Sequence, residues 1–159
     1  MGNTSLTRRV LLSLPLAGAV RPGAGRAADP LPALYAADRL TGIALRGYDP
    51  VSYALSNLPV AGRPGSEGEW SGLVWRFAAA SNRAAFLRDP DAFAPRLGGY
   101  DPEGVAAGRL VDADPLVPLR RDGRLYLCRD AQRRDRADAA LLFAAEERWP
   151  RLRAEGAFD

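Results

Sequence analysis

Histidine and lysine are both missing from this chain of 159 residues, whose 22 basic residues are all arginine. Without His the commonest general base and the commonest metal ligand are gone. That excludes His-dependent triads and His-containing zinc sites within the chain. Without Lys, no amine can take the place of His as the base for Ser52, Ser56, Ser66, Ser71 or Ser81. The Gly-rich stretch 62–68 contains Pro64 and leads into no phosphate-loop Lys. The one cysteine, Cys128, has no intrachain disulfide partner. With no second Cys or His to lower its pKa it is not expected to do thiol chemistry, and it reads as a small buried hydrophobe. No paired-acid motif of the glycosidase kind stands out. The expectation is a protein that is not an enzyme.

A concentrated positive charge is also lacking. The formal net charge is +3. Four of the 22 arginines (Arg8, Arg9, Arg21 and Arg26) lie in the first 28 residues, where no acid occurs. Without that segment 18 Arg face 19 acidic residues, so the remainder is near neutral. Phosphate contacts need clustered cations, so no nucleic-acid partner is expected. The arginine bias, with abundant Ala, Gly, Pro and Asp, reads as genome composition. A long apolar run is absent too. The longest, residues 11–20, is shorter than the roughly 20 residues a spanning helix needs.

That run belongs to an address. Arg8-Arg9 precedes it, and small residues up to Ala27-Ala28 follow. This is the order of an export signal. The twin arginine points to the twin-arginine route over a chance pair before a general-secretion signal. The expected location is periplasmic or secreted, with no integral membrane segment after cleavage.

The length allows one core and one domain. Residues 29–44 read as a lead-in, with a possible strand over 40–45. Asp49-Pro50 reads as a cap followed by a helix of one to two turns. Residues 70–78 read as a hairpin or bent strand around Ser71-Gly72, with Leu73, Trp75 and Phe77 on one face. Ser81 is the expected N-cap of a helix that ends at Asp89 and packs Phe86 and Leu87. Gly98 and Gly99 permit a tight turn into Tyr100. Residues 105–107 read as a short helix. Asp122-Gly123 between alternating segments predicts a type I′ hairpin. Residues 133–148 read as the longest helix, with Ala137, Ala140, Leu141, Ala144 and Arg148 on one face, Leu142, Phe143 and Ala145 widening it, and Pro150 as its end. No internal repeat is read. The expected fold class is α+β: a small single domain of short antiparallel hairpins with packed helices.

Several motifs occur in a telling order. Gly47-Tyr48-Asp49-Pro50-Val51-Ser52-Tyr53 comes first, then Trp75-Arg76-Phe77-Ala78, then Asn82-Arg83-Ala84-Ala85-Phe86-Leu87-Arg88-Asp89-Pro90. Gly98-Gly99-Tyr100-Asp101 follows, and Arg124-Leu125-Tyr126-Leu127 and Glu147-Arg148-Trp149-Pro150-Arg151-Leu152 close the series. This order resembles the stand-alone, exported branch of the YHS-domain family, over residues 45–152, leaving 153–159 as a tail. In that family the second tyrosine motif usually reads Gly-Gly-Tyr-Cys, with the Cys tied to metal. Here Asp101 stands at that position.

The resemblance implies that Tyr48, Asp49, Tyr53, Tyr100 and Asp101 converge on one ligand-binding patch. The leading expectation is a monomeric, non-enzymatic binding module of the cell envelope. Its partner would be a small ligand, an ion or an envelope protein. The alternative is a metal-handling protein in which Asp101 replaces the family thiolate, where a hard carboxylate favours a divalent ion such as Ca²⁺, Mg²⁺ or Mn²⁺. A third reading keeps the fold without the family's chemistry. No cofactor beyond such an ion is expected. Residue by residue, helix capping competes with ligand binding for Asp49 and Asp101, and burial in the core competes for Tyr48 and Tyr100.

Overall fold

A computed structural model describes residues 1–2, 35–38, 40–56 and 58–155. Arg8 and Arg9, expected to belong to an export signal, lie outside the described residues. In chain order the α-helices are α1 (Ser52–Ser56), α2 (Ala80–Arg88), α3 (Pro102–Ala106), α4 (Ala131–Arg136) and α5 (Ala139–Glu155). Two antiparallel hairpins, β1 (Glu67–Trp70) with β2 (Leu73–Arg76) and β3 (Pro118–Arg121) with β4 (Arg124–Leu127), complete a small α+β domain. Among the described residues no helix is long and apolar enough to cross a membrane.

Both hairpins turn on two residues with positive φ, Ser71-Gly72 (52° and 77°) and Asp122-Gly123 (51° and 75°). That is what a type I′ turn requires. Trp75 and Phe77, on one face of the first hairpin, are completely buried. Rings then stack inward: Trp75 lies 4.9 Å from Phe86, and Tyr35 lies 5.1 Å from Trp70. Phe86 is buried as expected, whereas Leu87 is exposed.

Several local expectations are corrected. Residues 40–45 do not form a strand. The Asp38 carboxylate accepts from the Leu40 and Thr41 N–H groups and curls the chain into a turn. Only the isolated bridges Ala37–Ala44 and Ile43–Val74 remain. Helix α2 does not use Ser81 as its cap. Ala79 holds that position with no side-chain bond, and the carboxylate of Asp49 serves the helix start from a distance, as described below. The predicted long helix is two: α4 stops at Arg136, and α5 runs through Pro150 to Glu155. Its inward face is Leu142, Ala145, Trp149 and Leu152, while Ala140, Ala144 and Arg148 are exposed. The helix continues past Pro150 because Leu152, beyond it, is buried in the core.

The apolar core has two lobes. One holds Tyr53, Trp75, Phe77 and Phe86, and the other Leu97, Tyr100, Val105, Tyr126 and Leu142. Strand β4 joins them. Leu125 and Leu127 face the first lobe and Tyr126 the second, so the period-2 alternation of a strand serves both.

Contrary to the sequence reading, the chain contains a repeat. The segment that begins at Leu45 folds as a left-handed turn, a Tyr-Asp-Pro, a short helix, a hairpin and a second helix. The segment that begins at Leu97 does the same, 51 or 52 residues later. The opening turns match in backbone: Leu45, Arg46 and Gly47 have φ of 53°, 51° and 85°, and Leu97, Gly98 and Gly99 have 56°, 62° and 77°. Backbone bonds match as well. Asp49 N–H donates to the Val60 carbonyl and Asp101 N–H to that of Val111. Arg63 N–H donates to Phe77, and Asp114 N–H to Cys128.

Candidate functional site

The two tyrosine motifs occupy equivalent places in the repeat, and their aspartates make equivalent bonds. Both carboxylates are completely buried. Asp49 Oδ1 accepts from the Val51 N–H at 2.9 Å, at the start of α1. Its Oδ2 accepts from the Ala78 N–H (2.8 Å) and Asn82 Nδ2 (2.7 Å), at the start of α2. Asp101 Oδ2 accepts from the Gly104 N–H (2.9 Å) in α3 and Arg133 Nη1 (2.6 Å) in α4, while Oδ1 accepts from the Arg129 N–H (2.9 Å). Each carboxylate thus ties the turn after its tyrosine to the helix after its hairpin. Helix starts carry unpaired N–H groups and partial positive charge, which offsets the cost of burying an anion. In the second half Arg133 adds a full positive charge where the first half has Asn82.

The tyrosines are likewise turned toward the fold. Tyr53 is buried and its hydroxyl donates to the Pro115 carbonyl at 3.0 Å. Burial pushes that hydroxyl's pKa well above its ordinary value. Tyr100 is buried, with its ring centroid 6.1 Å from that of Trp149. Tyr48 is half-buried against the first core lobe and bridges to Ala61, as Tyr100 bridges to Asp112. Cys128 is fully buried, and desolvation raises its thiol to about 12. Among the described residues no three His, Cys, Asp or Glu side chains gather in a way that could hold a metal ion.

Open hollows lie elsewhere. A cleft of about 330 Å³ is lined by Tyr35, Trp70 and Trp149 together with Arg96, Arg153 and Asp91. A second hollow, of about 410 Å³, lies between Arg46, Asp114 and Arg129 and has no aromatic wall. A third, of about 40 Å³, sits between Leu45 and Gly99, where the two opening turns meet. None of Tyr48, Asp49, Tyr53, Tyr100 and Asp101 lines any of the three.

The cleft is assembled from three distant segments. Tyr35 is brought in by the Ala36 N–H, which donates to the Gly98 carbonyl at 2.7 Å. Trp70 stands at the tip of the first hairpin. Trp149 and Arg153 project from α5 at i and i+4, hence on one face. Arg96 is fixed by Glu146, whose carboxylate accepts from Nε at 2.9 Å and Nη2 at 2.6 Å and also from the Tyr126 hydroxyl at 2.8 Å. The Arg96 guanidinium and these bonds hold Glu146 below the usual carboxylate range. Desolvation raises the Tyr35 pKa, Asp91 raises it further, and Arg153 and Arg96 work against both.

The sequence reading missed this cleft. Its one local signal, Trp149 four residues before Arg153, becomes visible only if the helix runs through Pro150. No family model matches the chain, and no curated protein or solved structure matches it.

Proposed function

We propose that this chain is an exported, non-enzymatic binding module of the cell envelope, similar in its order of motifs to the YHS-domain family. Recognition resides in the aromatic cleft between Tyr35, Trp70 and Trp149. The observation that carries the proposal is that cleft: it falls within the size range of small-ligand pockets, and its lining combines aromatic residues with a few charged groups. The Tyr-Asp motifs support it from behind. Asp49 and Asp101 fix the turns and helices that bring the walls together, and each carboxylate oxygen already accepts from an N–H group.

Native mass spectrometry with metal analysis, on protein taken from the envelope of its own host, tests this reading. A small organic molecule should co-purify with the wild type and be lost in Trp149→Ala. A stoichiometric metal ion retained by Trp149→Ala, with no organic ligand, would instead favour the metal-handling reading at Asp101.

A further inference from the structure

We propose that the cleft selects a flat organic anion, an aromatic or conjugated carboxylate, over neutral and cationic molecules of the same shape. The proposal rests on the reading of the cleft as the binding site. Three aromatic residues, Tyr35, Trp70 and Trp149, line it, and aromatic rings favour a planar partner. Its polar complement consists mainly of donors. The Tyr35 hydroxyl and the indole N–H groups of Trp70 and Trp149 are donors on lining residues. Ser71 adds a hydroxyl at the hairpin tip.

Charge sharpens the choice. Arg96 is already paired with Glu146 at 2.6 Å. Arg153 lines the same cleft, and among the described residues no carboxylate lies within 4.0 Å of its guanidinium. A donor-rich cleft with one arginine outside any ion pair among the described residues is complementary to an acceptor-rich anion. A guanidinium matches a carboxylate with two parallel bonds. Asp91 is the acidic residue of the lining and repels an anionic group, so the ligand's carboxylate is assigned to Arg153.

Calorimetric titration of the full chain with three probes of one shape tests this: 2-naphthoate, neutral 2-naphthalenemethanol and cationic 2-naphthylmethylammonium. The naphthoate should bind about tenfold or more tightly than either of the others, as a charge-assisted hydrogen bond predicts. Arg153→Met should weaken naphthoate about tenfold and leave the neutral alcohol unchanged. Asp91→Asn should strengthen naphthoate about two- to threefold. Both positions are exposed, so neither variant is expected to disturb the fold. Equal binding of all three probes, abolished by Trp149→Ala, would overturn the anion preference and leave the cleft as a binding site. No binding of any probe would overturn both.

Discussion

Asp49 and Asp101 each look, in one dimension, like a helix cap beside a tyrosine. In three dimensions each serves two helix starts at once. The distant donors are Ala78 and Asn82 for Asp49, and Arg129 and Arg133 for Asp101. Replacing Asp49 by Asn turns one acceptor into a donor among N–H groups that need an acceptor. Asp49→Asn should therefore lower stability by about 2–4 kcal/mol in urea unfolding, since each buried group left unpaired costs about 1–3 kcal/mol. A loss below about 0.5 kcal/mol would mean that the carboxylate does not tie the two segments together.

Cys128 makes a second claim at this scale. Burial raises its thiol from 9.0 to about 12. Below pH 9 the thiol keeps its proton in both folded and unfolded chains and contributes no pH dependence. Between pH 9 and about 12 the unfolded chain releases the proton and the folded one holds it, so stability falls as pH rises. Cys128→Ala should make that part of the stability curve shallower, most visibly between pH 9 and 10, because above pH 10 the buried Tyr53 hydroxyl adds a fall of its own. In the native wild type at pH 8 a thiol reagent should label Cys128 only at the rate of unfolding, because a buried protonated thiol is inert.

At the scale of elements, what was legible in the sequence was local. Asp122-Gly123 predicts its hairpin because a type I′ turn is decided by two residues. The α+β class follows from the same short signals. Helix α5 was misread because its extent is decided from outside it. Pro150 lacks an N–H and should stop the helix, yet Leu152 is buried and holds the next turn in place. Pro150→Ala restores the missing bond at an exposed position. It should raise stability by about 1–3 kcal/mol, measured as a shift of the urea midpoint at unchanged slope. A loss of stability would show that the proline is needed where it stands. The same misreading concealed the cleft, since Trp149 and Arg153 share a face only in an unbroken helix.

At the scale of the molecule, the chain is one unit folded twice, joined through a strand that belongs to both core lobes. The two openings even read alike: Leu45-Arg46-Gly47-Tyr48-Asp49-Pro50 and Leu97-Gly98-Gly99-Tyr100-Asp101-Pro102. The likeness fades elsewhere because the two halves bury different partners. Trp75 and Phe77 in the first are matched by Tyr126 and Cys128 in the second. On the proposed reading this arrangement separates support from recognition, with the Tyr-Asp turns inside and the aromatic cleft on the surface.

The most direct test is nuclear magnetic resonance mapping of the ¹⁵N-labelled chain against small molecules extracted from its host cells. The account predicts shifts at the Trp70 and Trp149 indole N–H groups and at the backbone of residues 96–98, with Asp49 and Asp101 unmoved. Shifts centred on Tyr48, Asp49, Tyr100 and Asp101, with the two indoles unmoved, would contradict it.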